Sequence, residues 1–321
     1  MRKIIKTLLG IGGAFCLIGA LLFSIGFTSG GTKYVHDTNL NSMNAQEDNK
    51  ESANRFTLKK TEIPDFTSLN INLEDSDLNI EESPNEKSYI EYAQATKDKK
   101  SPVSYSIENG TLTLKEAGNT GVSYYINVDI SFLQAALSRK NIEDYTKESS
   151  KYENYVTLYL PKDKLVSSAK IYLGYGDFYV KNATFDTTNI KLDDGDFDAN
   201  TLTANSGKLT FSYGDCDLQK ASLGNISLTS KDGDLTVNEL TLSGKTKIAL
   251  SYGDAEITLN DSTKKVSGFD LATHYGTITA SGLNGNKTLD EDDDVNTFQS
   301  DSKDGKTKLA IDSKDGDITV K

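Results

Sequence analysis

The feature that most constrains this chain is a Gly-Asp turn that returns at near-constant spacing, flanked on both sides by alternating apolar and polar residues. Aligned on the glycine, three segments read Ile171-x-Leu173-x-Tyr175-Gly176-Asp177-Phe178-x-Val180, Ile190-x-Leu192-x-Asp194-Gly195-Asp196-Phe197-x-Ala199 and Leu209-x-Phe211-x-Tyr213-Gly214-Asp215-Cys216-x-Leu218. The series continues at Gly233, Gly253, Gly276 and Gly316, giving intervals of 19, 19, 19, 20, 23 and 40 residues. The last interval has room for two units, one of them degenerate. Two earlier segments read as further copies: Ile71-x-Leu73-x-Asp75-Ser76-Asp77-Leu78-x-Ile80 and Ile107-x-Asn109-Gly110-Thr111-Leu112-x-Leu114.

Alternation of period two on either side of a turn predicts two short strands meeting at a corner. Glycine supplies positive φ there, and Asp can bond its own backbone two residues on. A further apolar pair follows each second strand, as at Ala221/Leu223 and Leu240/Leu242, so each unit holds three strands. Units of that kind stack as coils about 4.8 Å apart. The predicted fold is therefore all-β, a β-solenoid resembling a parallel β-helix with coils of about 19 residues. Phe178, Phe197, Cys216 and Leu235 would form one internal column. A two-sheet sandwich is the structural alternative.

Composition removes several functions. The 321 residues hold 35 Lys+Arg against 47 Asp+Glu, a formal net charge of -12. The first 30 carry three bases and no acid, which leaves -15 for the rest (-12 - 3). So acidic a body repels phosphate backbones, which excludes nucleic acid as a partner. Arginine occurs only at positions 2, 55 and 139, histidine at 36 and 274, and cysteine at 16 and 216. No intrachain disulfide is possible beyond the N-terminal stretch, and no pattern of nucleophile and base stands out. We therefore read no catalytic residue, no metal site and no cofactor. The turn acids Asp177, Asp196, Asp215, Asp234, Asp254 and Asp317 suit calcium chemically, but turn capping accounts for them.

The chain divides into six stretches. Residues 1–6 are basic and read as cytoplasmic. Residues 7–29 are an apolar run long enough to span a hydrocarbon core, one transmembrane helix with everything after it outside the cell. A cleaved signal peptide is the rival reading, although no clear A-x-A site follows. Residues 30–55 form a polar tether, 56–115 an N-terminal β-repeat part, 116–155 an insertion with a short amphipathic helix around Phe132 to Leu137, and 156–321 the main solenoid. A second polar insertion covers 284–294. Because Lys321 directly follows a strand, the C-terminal end reads as uncapped, which invites self-association through that strand.

The signal-anchor start, Phe66-x-x-Leu69-x-Ile71-x-Leu73, Tyr155-x-x-Leu158-x-Leu160-Pro161 and the serial Gly-Asp turns together resemble the bacterial β-strand-repeat family labelled "putative adhesin". That is a domain-of-unknown-function family with LiaG-like cell-envelope proteins of Gram-positive bacteria among its members. The resemblance implies a membrane-tethered extracytoplasmic solenoid without catalytic residues. It places the chain at the cell membrane as a single-pass protein. The function expected is a non-catalytic, adhesin-like binding module, with an accessory protein of an envelope-stress signalling system as the alternative and a polysaccharide-active enzyme as the weaker one.

The residue before each turn glycine supplies the candidate site. Tyr175, Asp194, Tyr213, Asp232, Tyr252 and Tyr275 line one corner, with Asp315 in the same position of the final unit. Tyr and Asp alternate over five units. If they face outward, the Tyr rings lie about 9.6 Å apart, twice the coil rise, and can meet a repeating glycan through an apolar face and a polar tip. The competing explanation is that these side chains only pack on successive corners. Partners expected are thus a cell-envelope glycan or a membrane protein, with the membrane reached through the N-terminal helix.

Overall fold

Alternating apolar residues around each turn point into one shared interior, and the strands that carry them pair in parallel with the next coil. The computed structural model describes residues 55–96, 100–117, 154–290 and 294–321. Strand β1 (Arg55–Ile63) precedes the first coil, β2 (Ser68–Leu73) and β3 (Asp77–Glu82); β4 (Ser88–Ala95), β5 (Val103–Glu108), β6 (Thr111–Glu116) and β7 (Tyr155–Leu160) build the N-terminal end. The repeat region contains β8 (Leu165–Tyr175), β9 (Phe178–Val180), β10 (Ala183–Asp194), β11 (Phe197–Phe211), β12 (Cys216–Asp232), β13 (Leu235–Leu242), β14 (Lys245–Tyr252) and β15 (Ala255–Leu259). After helix α1 (Asp261–Val266) come β16 (Gly268–Tyr275), β17 (Ile278–Ala280), the hairpin β18 (Asn286–Asp290) and β19 (Val295–Ser300), then β20 (Lys308–Asp315) and β21 (Ile318–Val320). The expected anchor and nearly all of the tether lie outside the described residues, as do 118–153 with their expected helix. Among the described residues no helix is long and apolar enough to cross a membrane.

Three faces recur in each complete coil. Before the turn, Ile171, Ile190, Leu209, Leu228 and Ile248 pair in register from coil to coil. After the turn, Phe178, Phe197, Cys216, Leu235 and Ala255 do the same. Along the third face the column is Val166, Phe185, Ala204, Leu223 and Leu242. All of these residues are buried. The rings of Phe178 and Phe197 stack with centroids 5.0 Å apart, and each such side chain contributes about 2 kcal/mol on leaving water. Cys216 is a buried member of its column, where burial pushes its thiol up and makes it inert. The expected β-solenoid and its internal column are present. Parallel pairing between consecutive coils excludes the sandwich.

Chain order and spatial order part company at the C-terminal end. Strand β20 pairs in parallel with β14 on one side and β16 on the other, and β21 lies likewise between β15 and β17. The final coil, 308–320, is thus inserted between coils 245–259 and 268–280. The expectation of an uncapped C-terminal strand is overturned: β21 is hydrogen-bonded on both edges and offers none for self-association. The outermost coil is 268–280, and the hairpin β18–β19 runs antiparallel against β16 to cover it. Asn296 Nδ2 and Lys287 Nζ donate to the outward carbonyls of Gly276 and Ile278, both at 2.7 Å. The 40-residue interval therefore holds a capping hairpin, not a degenerate coil, and much of the expected polar insertion at 284–294 is strand β18.

The N-terminal end is built alike. Coil 68–82 sits inside, flanked by β8 and β9 on one side and by β6 and β7 on the other. β5 covers β6, and β4 with β1 covers β7, all antiparallel. Asn109-Gly110, read above as a corner between coils, is instead a two-residue hairpin turn joining β5 to β6, with φ of 50° and 73°. Between β6 and β7 the chain leaves at residue 117 and returns at 154, in the place where a Gly-Asp turn would otherwise connect the two faces.

The turns are joined by a continuous hydrogen-bond ladder. Oδ1 of Asp77 accepts from the backbone N–H of Asp177, and the relation repeats from Asp177 to Asp196, Asp196 to Asp215, Asp215 to Asp234, Asp234 to Asp254, Asp254 to Asp317 and Asp317 to Thr277, at 2.7–2.9 Å. Each acid thus caps the next coil's turn, not its own as expected from local turn chemistry. Thr277 ends the series, because no further coil presents an amide to be capped. The turn glycines stack as closely: a Cβ on Gly233, whose φ is +136°, would lie 2.1 Å from the carbonyl oxygen of Gly214.

Three outcomes follow from this geometry. Gly233→Ala should cost about 3 kcal/mol, from strain at positive φ together with the carbonyl clash, read as a fall in the chemical-denaturation midpoint. Asp215→Ala should lose about 1 kcal/mol by stranding the Asp234 amide, whereas Asp215→Asn, which keeps an acceptor oxygen, should stay close to wild type in the same measurement. Deleting 308–321 removes the fully buried Leu309, Ile311, Ile318 and Val320, at about 2 kcal/mol each. That total matches the whole stability of an ordinary domain, so the deletion should abolish the cooperative thermal transition seen by circular dichroism.

Candidate functional site

Outward side chains on the ridge above the ladder come from the residue before each turn glycine. Strand alternation fixes their direction. With the residue two before it facing the interior and the glycine occupying the bend, this position is directed to solvent. Tyr175, Tyr213, Tyr252 and Tyr275 are 62%, 47%, 58% and 67% exposed, high values for so large a side chain. Asp194, Asp232 and Asp315 on the intervening coils are exposed as well.

The inserted coil completes a pattern that is broken in the sequence. Along the chain Tyr252 is followed by Tyr275 and only then by Asp315. In space Asp315 stands between them, since Gly253 N–H donates to the Asp315 carbonyl and Gly316 N–H to that of Tyr275. At the other end Asp75 occupies the equivalent place beside Tyr175, two residues beyond the Leu73–Leu173 pair. The spatial series is Asp75, Tyr175, Asp194, Tyr213, Asp232, Tyr252, Asp315, Tyr275. All six residues singled out from the sequence lie on this one line. Sequence reading missed Asp75 and the position of Asp315, although Asp75-Ser76-Asp77 already had the spacing of a turn.

Eight coils give seven steps of about 4.8 Å, so the ridge runs about 34 Å, with Tyr rings about 9.6 Å apart. Its electrostatics are strongly acidic, because the ladder acids Asp177, Asp196, Asp215, Asp234 and Asp254 run alongside. Asp198, on the strand that follows the turn, feels these ladder acids: burial first, then the charges of Asp217, Asp196, Asp177 and Asp215, hold its carboxyl above the usual carboxylate range. One cation already answers this field. Lys231 Nζ lies 4.9 Å from the Tyr213 ring centroid and donates to its hydroxyl at 3.0 Å, which raises the ammonium's pKa. Nearby, Asp193 is engaged by the Tyr172 hydroxyl at 2.9 Å and by Lys191 at 2.6 Å. The bond to Asp193, with some burial, pushes Tyr172 up to about 12.

The N-terminal end of the ridge is closed by side chains, not by a turn glycine. Glu116 accepts from the backbone N–H groups of Glu74 and Asp75 at 2.8 and 3.0 Å, and from the hydroxyl of fully buried Ser76 at 2.7 Å. His274 is exposed, with Nε2 3.8 Å from Asp312. Among the described residues no group of acids, His and Cys has the arrangement of a metal site.

No curated protein matches the chain. Solved structures with similarity include a "putative cell adhesion protein" from Clostridium sporogenes, at 12% identity and a TM-score of 0.35, covering 82% of this chain and 99% of that one. A "putative adhesin" from Bacteroides fragilis has 11% identity and a TM-score of 0.40, over 83% and 97% of the two chains. One from Parabacteroides distasonis has 10% identity and a TM-score of 0.39, over 83% and 96%. The family described as Toastrack DUF4097 matches residues 66–321, from Phe66 just before β2 through every coil of the stack, and the chain belongs to that family.

Proposed function

We propose that this protein is a non-catalytic, adhesin-like binding module of the bacterial cell envelope. In this reading an apolar helix over 7–29 holds it in the cell membrane and the solenoid faces outward. Its ligand is a linear envelope glycan, gripped along the ridge at intervals of about 10 Å, two coil rises. The observation that carries the reading is the unbroken Tyr/Asp alternation over eight stacked coils. It is assembled from residues as distant in sequence as Asp75 and Asp315, so neighbouring repeats alone do not generate it. Exposed rings at a fixed repeat suit sugar faces, and a multi-site ridge gains affinity by avidity from contacts that are singly weak.

A second reading, an accessory role in envelope-stress signalling through a membrane-protein partner, draws on one observation. Residues 117 and 154, which bracket 118–153, lie at the corner that carries the ridge.

Pull-down of the purified protein on cell-wall polymer tests the first reading. Tyr213→Ala with Tyr252→Ala should reduce retention about tenfold, at roughly 0.7 kcal/mol per ring. Unchanged retention would sink the Tyr-ridge reading, and crosslinking in intact membranes to a partner protein would then favour the second.

A further inference from the structure

The Tyr rings of the ridge do not stand in a neutral setting. Each of Tyr175, Tyr213 and Tyr252 is flanked on both neighbouring coils by an exposed carboxylate in the same position, and the ladder acids run beside the whole line. An anion approaching a ring meets like charges on either side. A neutral sugar gains only the ring face. An ammonium gains the ring's negative face and one carboxylate about 4.8 Å along the ridge in each direction. Resting on the reading of the ridge as a glycan site, we propose that its ligand is a cationic polymer, a glycan bearing free amino groups at a repeat of about 10 Å.

An internal cation already shows the fit. Lys231 extends from the coil of Asp232 to the neighbouring Tyr213, its ammonium bonding the hydroxyl at 3.0 Å and standing 4.9 Å from the ring centroid. Its ammonium takes the position that a ligand amine would take, and Tyr213 is the least exposed of the four rings. Lys231 is thus a competitor within the site, and its removal opens one more position on the ridge. Arginine, which would draw anionic polymers by bidentate contacts, is absent from 140–321.

The test is titration calorimetry of the full-length protein with two probes of equal length, glucosamine oligomers with free amines and N-acetylglucosamine oligomers. The free-amine chain should bind at least tenfold more tightly. Its affinity should rise with oligomer length, fall with added salt, and fall as pH is raised through the amine pKa while the protein's carboxylates stay ionised. Asp194→Asn and Asp232→Asn should each weaken it about two- to fivefold with an unchanged melting temperature, and Lys231→Met should strengthen it by a similar factor. Equal or tighter binding of the acetylated chain overturns the cationic assignment and leaves the ridge reading intact. Binding of neither probe also overturns it, and wall retention in the Tyr213/Tyr252 variant then judges the ridge by itself. Free-amine binding indifferent to Asp194 and Asp232 overturns it too, by placing the amines elsewhere.

Discussion

Register at the turn is the constraint on which the rest of this structure depends. The carbonyl of one turn glycine occupies the space where a side chain on the next would begin, so coils approach to hydrogen-bonding distance only while that position stays glycine. The Asp carboxylate one residue later then takes the next coil's amide, so each turn is completed by its neighbour. A slip by one residue would bury the polar set of a whole strand and expose its apolar set. Glycine contact and Asp cap both oppose such a slip, and they oppose it at the same corner at each step from Asp77 to Thr277. The straight columns of Phe178, Phe197, Cys216 and Leu235, and the straight line of the ridge, are consequences of that registration.

Stacking in register leaves the ends as the problem, since a parallel coil presents its last strand as a template for another chain. Both ends solve it by placing an earlier or later coil inside and folding antiparallel strands over the outside. At one end coil 68–82 lies within β6 and β7. At the other, 308–320 lies within 268–280, over which the β18–β19 hairpin and the side chains of Lys287 and Asn296 close. The ordering has a cost in folding, because the inner C-terminal coil pairs on both sides with coils that precede it in the chain. Such long-range pairing pays loop-closure entropy before it is rewarded. In return, the strand that a simple repeat would leave exposed is secured on both edges.

The coil, its three faces and its inward columns were legible because period-two alternation and a returning Gly-Asp are local signals. Spatial order was not, because a repeat records that a coil exists and says nothing of which coil it pairs with. One residue did carry the information. Thr277 replaces the Asp of every other glycine-centred turn, and a turn that caps no successor belongs to the outermost coil. Asn109-Gly110 was likewise readable as a hairpin turn from its residues alone, but its flanking alternation matched the repeat and hid the difference. The ridge residues were identifiable by position. Their full alternation was not, because it exists only after Asp315 is carried between Tyr252 and Tyr275.

Alternation itself has a physical rationale. Two unit charges in water repel by about 0.9 kcal/mol at 4.8 Å and about 0.4 kcal/mol at 9.6 Å. In the ladder column consecutive acids accept that larger repulsion, because each Oδ1 receives an amide hydrogen bond worth about 1.5 kcal/mol or more to a charged acceptor. The carboxylates of Asp194 and Asp232 on the ridge are not part of that ladder, and an Asp on every coil there would add repulsion without such an offset. A Tyr on every coil would fail differently, since rings 4.8 Å apart cover one another's faces and leave only edges to a ligand. Placing the two residue types on alternate coils halves the repulsion and keeps one ring from stacking on the next. The resulting line keeps aromatic rings and carboxylates together on the exposed side of the turns.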